Sequence, residues 1–247
     1  MGKSNQKLPE LPPKTVKRTD KIITVSETMK FEILNFFPNA NVEILYNGID
    51  LSEFTLHDPS HQIKTRNKYK LPTNFLLSVG HFEHRKNYSN LIYALRTLKD
   101  DGYDYFLIIV GNDNGEKSRI NDQILDLDLQ KNVMLLSNLT NEEVKSIYGL
   151  SSAFIFPSLY EGFGIPILET MAHNKPLILS NISVFKEITE SKGVYFDPNI
   201  IQSIANSIKN VVEDTKISNE LIEYGRNRVK DFDFRKLAPR LKEIYLT

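Results

Sequence analysis

The sequence contains no cysteine and no tryptophan, no surplus of either charge and no long apolar run. Without cysteine the chain forms no disulfide and offers no thiolate to a metal, which suits a cytoplasmic protein. Lysine plus arginine and aspartate plus glutamate each number 31, so the chain lacks the basic surplus of a general nucleic-acid binder. No apolar stretch approaches the roughly 20 residues of a membrane-spanning helix. The remaining composition, 40% hydrophobic and 25% charged, is typical of a soluble globular protein.

Short apolar segments alternate with longer amphipathic segments along the chain. Several of the short ones are apolar throughout, as expected of parallel strands that are covered on both faces. Strands are predicted at residues 22–25, 42–45, 75–79, 105–110, 133–135, 153–156, 177–179 and 194–196. Helices are predicted at residues 27–36, 88–99, 117–127, 141–150, 166–172, 183–189, 200–212, 218–230 and 235–245. This alternation predicts an α/β fold with a Rossmann-like, doubly wound parallel sheet.

The pattern divides the chain into four parts. Residues 1–19 are rich in lysine and proline, lack the apolar core of a secretory signal, and are interpreted as a polar lead or linker. Residues 20–48 form a small leading β-α-β piece, residues 49–230 hold the main sheet, and residues 231–247 form a final helix. The polar stretch 57–70 is predicted to be a connector without regular structure.

Ligands of open α/β sheets bind beyond the carboxyl ends of the strands, so the residues that follow each strand are candidates for a site. The first such segment runs from Gly80 to Asn87 and leads into a helix. Gly80 lets the backbone approach a ligand closely, and Arg85 and Lys86 supply positive charge for a diphosphate near the helix N-terminus. The segment contains no Walker-type phosphate loop and no GxGxxG, and a solvated basic turn is the simpler interpretation of its spacing.

The sharpest feature of the sequence is a strand end that runs through a glycine-containing loop into a helix. Gly162 and Gly164 expose backbone N–H groups at the positive end of that helix, where hydroxyls or phosphate oxygens bind readily. Glu161 and Glu169 flank these glycines. Each carboxylate can accept two hydrogen bonds, one from each of two vicinal hydroxyls. Two sugars, one of them a ribose, could be held in this way. The alternatives are two solvated acids, or the acid and base of a glycosidase.

The third segment, Ser137 to Thr140, also follows a predicted strand. Thr140 and Glu143 fit the capping box that opens a helix, so capping is the simpler role of this turn. A nucleotide base stacked on the turn is the alternative.

Metal ligands are sparse in the sequence. Two histidine pairs have spacings that could chelate a metal, namely His81 with His84 and His57 with His61. Neither pair has a convincing third ligand, so no metal site is predicted.

The order of these segments resembles glycosyltransferase family 4, the retaining enzymes of the GT-B class. The resemblance rests on Ser-Val-Gly80, Arg85-Lys86-Asn87, Ile-Val-Gly111, Phe156-Pro157-Ser158, Glu161-Gly162-Phe163-Gly164, Glu169 and Ser180-Asn181. The resemblance covers about residues 19–247. Within the family, the chain is similar to bacterial mannosyltransferase-like members that build polysaccharide or lipopolysaccharide chains. This resemblance implies transfer of a hexose, with mannose as the first candidate, from a GDP-sugar or UDP-sugar to a glycan or lipid-linked acceptor, without a metal or other cofactor.

The resemblance assigns a role to each matching residue. Arg85 and Lys86 would meet the donor diphosphate, and Glu161 would bind the transferred sugar; these three are the catalytic candidates. Glu169 would accept hydrogen bonds from the ribose hydroxyls. The other donor-binding candidates are Gly80, Ser137, Gly162 and the backbone of Phe163 and Gly164.

The sequence departs from the family pattern at two positions in these segments. Many relatives have an arginine directly after the glycine that corresponds to Gly80, where this chain has His81. Binding of the donor phosphates is therefore expected to depend on Arg85 and Lys86. Relatives often show Leu-Pro-Glu where this chain has Phe185-Lys186-Glu187.

Family members consist of two Rossmann-like domains, of which the N-terminal one binds the acceptor. Residues 20–48 resemble only the last piece of that domain and the crossover, so the chain is expected to be an incomplete enzyme that binds a nucleotide sugar but transfers nothing alone. A fragment is the favoured explanation. A split enzyme with a partner subunit and a nucleotide-sugar-binding or regulatory module without transferase activity are the alternatives, and a nucleotide-sugar epimerase is disfavoured.

The complete enzyme is expected in the cytoplasm, with peripheral attachment to the inner face of the membrane, and no nucleic-acid partner is expected. The final helix carries an apolar stripe of Leu237, Leu241 and Tyr245. This stripe is expected to pack on the leading piece or to drive self-association of the isolated chain.

Overall fold

The computed structural model describes residues 19–54 and 59–246. Within these ranges the strands are β1 (Ile22–Thr24), β2 (Val42–Ile44), β3 (Leu76–Val79), β4 (Leu107–Val110), β5 (Val133–Leu136), β6 (Ala153–Phe156), β7 (Leu177–Ser180) and β8 (Val194–Phe196). The α-helices are α1 (Glu27–Phe36), α2 (Pro59–Tyr69), α3 (Tyr88–Asp100), α4 (Lys117–Asp126), α5 (Asn141–Leu150), α6 (Ile165–Ala172), α7 (Ser183–Ile188), α8 (Ile201–Glu213), α9 (Thr215–Arg228) and α10 (Phe234–Leu246). Three 3₁₀ turns lie at Leu51–Phe54, His84–Lys86 and Val229–Phe232. The predicted polar lead lies almost wholly outside the described residues, as does His57.

Strands β3 to β8 form one parallel sheet of six strands in the order β5-β4-β3-β6-β7-β8. The first strand of this sheet, β3, lies near its centre. Strands β4 and β5 follow on one side of β3, and β6, β7 and β8 follow on the other side. Two clusters of buried apolar residues lie on opposite faces of the sheet, because alternate residues of each strand join different clusters. The predicted doubly wound α/β fold is confirmed. Its strand order places a switch point, where ligands of such sheets bind, at the carboxyl ends of β3 and β6.

Helix α2 corrects the prediction that residues 57–70 form an irregular connector. Its sequence has no apolar stripe, and among its residues only Thr65 is buried. The helix packs beside α5, and polar contacts hold it there: Lys68 and Tyr69 both donate to the Glu143 carboxylate, at 2.6 and 3.0 Å. Hydrophobic periodicity could not reveal a helix that is fixed by hydrogen bonds and an ion pair.

The leading piece forms a separate two-stranded parallel sheet, β1 with β2, covered by α1. It is joined to the main sheet through Glu187 of α7, whose carboxylate accepts from the backbone N–H groups of Glu27 and Thr28 at 2.6 and 3.0 Å. A carboxylate at the first turn of a helix satisfies free donors and complements the helix dipole. Burial, reinforced by Glu187, raises the pKa of Tyr46 in this interface to about 12.

The chain ends with α9 and α10. Helix α9 begins three residues earlier than predicted, because Asp214 caps it by accepting from the backbone N–H of Lys216 and Ile217. Helix α10 returns to the leading piece, where Arg240 pairs with Glu43 at 2.6 Å and Lys21 donates to the carbonyl of Ile244.

The apolar stripe expected on the final helix is only partly covered. Leu237 is half-buried, whereas Leu241 and Tyr245 are exposed. The helix therefore packs on the leading piece and still presents two apolar side chains, and self-association of the chain stays a prediction. None of the helices in residues 19–54 and 59–246 is long and apolar enough to span a membrane.

Glu187→Ala is expected to loosen the contact between α1 of the leading piece and the main domain. The substitution removes the acceptor of two α1 backbone donors, a loss comparable to that of a helix cap, about 1–2 kcal/mol. Hydrogen exchange of the α1 amides should accelerate while exchange in the main sheet stays slow. Glu190→Ala is the control, because Glu190 pairs with Arg228 and has no contact with α1 among the bonds described. Unchanged α1 exchange in Glu187→Ala would contradict this role.

Candidate functional site

The switch point brings together two segments that are far apart in sequence. Arg85 and Lys86 lie in the 3₁₀ turn that follows β3, and Glu161 lies in the loop that follows β6. Asn87 ends the turn in a left-handed conformation, with φ of 56°, and its side-chain amide donates to the carbonyl of Pro198. These contacts fix the direction in which the basic side chains leave the sheet.

Glu161 is paired with both cations. Its Oε1 lies 2.7 Å from Lys86 Nζ, and its Oε2 lies 2.6 Å from an Arg85 guanidinium nitrogen. The Ser158 hydroxyl donates to the same Oε1 at 2.8 Å. The side chains of Lys86 and Glu161 are 8% and 9% exposed, so this pair is shielded from water, whereas Arg85 is 41% exposed. Low local dielectric strengthens each of these attractions relative to a surface pair.

Two glycines let the ends of β3 and β4 pass in close contact. The Gly111 Cα lies so near Gly80 that an added Cβ would come within 1.9 Å of the Gly80 carbonyl oxygen. Gly80 itself has φ of 157°, and its carbonyl accepts from the Tyr88 hydroxyl at 2.9 Å. Gly80 and Gly111, with Lys86, line a cleft of about 290 Å³. Backbone packing therefore requires glycine at position 111, whereas the positive φ and the adjacent Lys86 and Tyr88 side chains favour glycine at position 80.

The loop between β6 and α6 holds the other predicted donor-binding residues. Gly164 has φ of 132°, a conformation that favours glycine, and it stands at the N-terminus of α6. The Phe163 ring is buried against Tyr46 and Phe232, which leaves its backbone as the polar part. The Gly162 carbonyl accepts from the Ser26 hydroxyl at 2.9 Å, so the leading piece touches this loop directly.

Glu169 lies in a second cavity of about 300 Å³ beside the first. The two cavities share Val144 as a wall. The Tyr148 hydroxyl donates to Glu169 Oε2 at 2.8 Å, and burial raises the pKa of Glu169 although that bond and the nearby Lys145 both lower it. A ligand lying across Val144 could reach the Arg85–Lys86 turn with one end and Glu169 with the other.

Ser137 lies next to the first cavity. Its hydroxyl accepts from Lys117 Nζ at 2.9 Å, while the neighbouring Asn138 and Leu139 line the cleft. The capping box of Thr140 and Glu143 is present as predicted at the start of α5. The turn therefore caps a helix, and it also forms one side of the cleft.

Two hydroxyls that donate to the predicted site carboxylates were not predicted from the sequence. Ser158 lies in the strand-end motif Phe156-Pro157-Ser158, but nothing in that motif indicates its bond to Glu161. Tyr148 gave no signal, because an aromatic residue in an amphipathic helix is normally a core residue. In residues 19–54 and 59–246, no three histidine, aspartate or glutamate side chains group so that they could hold a metal ion. Independence from metals remains a prediction.

A family model described as "Glycosyl transferases group 1" matches residues 61–228. The chain belongs to this family. Over 222 residues it is 30% identical to the O-antigen chain mannosyltransferase RfbU of Salmonella typhimurium, and over 227 residues it is 25% identical to the O-antigen chain mannosyltransferase B of Escherichia coli. These matches cover 89% and 91% of this chain but only 58% and 60% of the relatives. The chain thus spans less than two thirds of the length of these group 1 proteins.

Solved structures confirm the fold. A glycosyltransferase from Rickettsia africae ESF-5 matches with a TM-score of 0.84 at 23% identity, over 96% of this chain and 68% of that one. Anabaena Alr3699/HepE, solved in complex with UDP and glucose, matches with a TM-score of 0.81 at 20% identity, over 94% and 64% of the two chains. The six-stranded parallel sheet of this group 1 chain is that of the GT-B glycosyltransferase structures.

Proposed function

We propose that this chain is the donor-binding part of a retaining glycosyltransferase of family 4, which transfers a hexose from a nucleotide diphosphate sugar. The observation that carries the proposal is the meeting of Arg85, Lys86 and Glu161 at the switch point of the sheet. Two cations and a carboxylate at this place match a ligand that has a diphosphate at one end and sugar hydroxyls at the other. The group 1 family match and the mannosyltransferase relatives support the same reaction.

In the proposed reaction the bond between the sugar and the diphosphate breaks, and an acceptor hydroxyl oxygen forms the new bond to that sugar carbon. Negative charge grows on the oxygens of the departing diphosphate, which takes up the proton that the acceptor hydroxyl loses. Arg85 and Lys86 stabilise that charge, and they do so best where water is excluded, as it is around Lys86. Before the donor binds, Glu161 forms ion pairs with both cations. When the donor binds, its phosphates replace Glu161 as the anionic partner of Arg85 and Lys86. Glu161 then accepts hydrogen bonds from the sugar hydroxyls, next to the backbone N–H groups of Phe163 and Gly164. Because two side-chain cations meet the diphosphate, the proposed reaction needs no metal.

The nucleoside is proposed to lie across Val144, with its ribose on Glu169 and its base in the cleft bordered by Asn138 and Leu139. Relatives named as O-antigen chain mannosyltransferases support mannose as the sugar and a glycan as the acceptor. The acceptor is proposed to bind to an N-terminal domain or a partner subunit that faces the cleft.

Titration of the purified chain with UDP, GDP, UDP-glucose and GDP-mannose, with and without a chelator, tests the proposal. At least one nucleotide sugar should bind, and the chelator should leave its affinity unchanged. If neither diphosphate nor nucleotide sugar binds, the proposal fails.

Glu169→Ala is expected to weaken nucleotide binding by about 1–3 kcal/mol, the scale for hydrogen bonds to a charged acceptor. Binding of the matching 2′-deoxyribonucleotide should fall much less, because that ligand lacks one of the hydroxyls that Glu169 accepts. Calorimetric titration with the two ligands measures the difference. Glu220→Ala is the control, since Glu220 is an exposed carboxylate of α9. Equal losses for both ligands would remove Glu169 from the ribose.

A further inference from the structure

The Tyr148 side chain is buried and stacks on two aromatic rings. It is 1% exposed and stacks on His173 with a centroid distance of 5.1 Å and on Phe154 with one of 5.7 Å. Its hydroxyl donates to Glu169 Oε2 at 2.8 Å. A ring packed in this way cannot swing aside, so the hydroxyl holds one place relative to the carboxylate.

The same group of residues also holds the backbone of Glu169. A ring nitrogen of His173 lies 2.7 Å from the Glu169 carbonyl oxygen, one helical turn earlier in α6. His173 therefore contacts Glu169 through the backbone and Tyr148 through its ring. The carboxylate and the main chain of Glu169 are fixed by two stacked aromatic side chains, one from α5 and one from the end of α6.

We propose that Tyr148 is a positioning residue that holds the Glu169 carboxylate in the orientation in which it meets the ribose of the donor nucleotide. The inference rests on the proposed function, because it takes Glu169 as the ribose ligand. The hydroxyl occupies one site on Oε2 and leaves Oε1 and the remaining lone pairs for the two ribose hydroxyls. Tyr148 thus helps the cavity to discriminate ribonucleotides from 2′-deoxyribonucleotides through its bond to Glu169.

Several charged groups face Glu169 in its cavity. Lys145 approaches from α5, and Asp50 and Glu53 come from the segment around the Leu51–Phe54 turn, with Glu53 held by Lys145 at 2.8 Å. Burial raises the pKa of Glu169, and the Tyr148 bond and Lys145 lower it. A raised pKa means that the ionised form, and with it ribose binding, is lost as the pH falls through that pKa. Removal of the Tyr148 hydroxyl raises the pKa further, so the loss should begin at a higher pH.

Tyr148→Phe tests the proposal with UDP, GDP and their 2′-deoxy analogues as probes. Affinity for the ribonucleotide should fall about fivefold to tenfold and that for the 2′-deoxy analogue less than twofold, the scale for one hydrogen bond. When affinity is plotted against pH, the loss of affinity on the acid side (the acid limb) should move to higher pH. Tyr105→Phe is a matched control, since it removes a tyrosine–carboxylate hydrogen bond, to Glu213, beside a separate cavity that shares no residue with that of Glu169. Thermal melting shows whether each variant folds.

A double variant separates Tyr148 from general packing effects. In a Glu169→Gln background, Tyr148→Phe should change affinity less than twofold and should leave the pH profile unchanged, because the group it acts through no longer titrates. An equal loss in both backgrounds, or a single variant whose acid limb and ribose discrimination match those of the native chain, would overturn the role of Tyr148. If the native chain binds the diphosphates but does not discriminate them from their 2′-deoxy forms, the ribose assignment of Glu169 fails together with this inference. If it binds no diphosphate, the proposed function itself fails.

Discussion

Lys86→Met is expected to destabilise the chain by about 2–3 kcal/mol, because it leaves the nine-tenths-buried Glu161 carboxylate without its shielded partner. The loss stays below that of a fully buried pair, since Arg85 still faces Glu161. Affinity for a nucleoside diphosphate should fall roughly tenfold to a hundredfold, whereas that for the nucleoside should hardly change. Urea unfolding and calorimetric titration measure the two effects.

A double substitution distinguishes stability from binding. Lys86→Met with Glu161→Gln should recover most of the lost stability, because a neutral amide is cheaper to bury than an unpaired carboxylate. Diphosphate affinity should not recover. Lys68→Met serves as control, since it breaks an ion pair to Glu143 from a lysine that is 60% exposed. A Lys86→Met variant that binds diphosphates as tightly as the native chain would refute the proposed phosphate site.

Gly111→Ala is expected to be as damaging, for a steric reason. Its Cβ would lie 1.9 Å from the Gly80 carbonyl oxygen and 2.7 Å from the Gly80 carbonyl carbon, and both are backbone atoms that no rotamer change can move. Relief requires β3 and β4 to separate at their carboxyl ends, which we expect to cost about 3 kcal/mol or more. The mouth of the cleft changes shape as well, so diphosphate binding should weaken even in the folded fraction.

Gly162→Ala is the matched comparison. A Cβ at Gly162 would have ordinary contacts only, with the Met29 side chain at 3.8 Å. Unfolding in urea should therefore separate the two variants clearly, with Gly162→Ala near the native chain. Similar stabilities for both would mean that the strand ends yield more easily than the close packing of Gly80 and Gly111 implies.

The sheet was predictable because its strands are apolar runs bounded by turn residues. Ala153–Phe156 and Val194–Phe196 lie where the pattern predicted them, and β3 and β4 begin one and two residues late. Phe75 and Tyr105 look like strand residues in the sequence, but they precede the residues paired in the ladder. Apolar character marks burial, and burial extends past the hydrogen-bonded part of a strand.

The candidate site was only partly predictable. Arg85, Lys86 and Glu161 were identified from their segments, but their ion pairs join residues about 75 positions apart and exist only because β6 pairs with β3. Ser158 and Tyr148 were not identified, because a hydrogen bond from a side-chain hydroxyl to a carboxylate leaves no periodic trace in the sequence, even where the two residues are only three positions apart, as Ser158 and Glu161 are. Local pattern thus located the segments, and strand order determined which side chains meet.

The central place of β3 also affects how the chain is synthesised. It is the first strand of the main sheet to leave the ribosome, and β4 and β5 can join it on one side before residues 153–156 exist as peptide. Until then the other edge of β3 is open, and it carries Leu76 and Leu77, which are 2% and 0% exposed in the finished fold. An open apolar edge is a template for association with another nascent chain. The speed with which β6 docks on that edge therefore governs the yield of folded protein against aggregate.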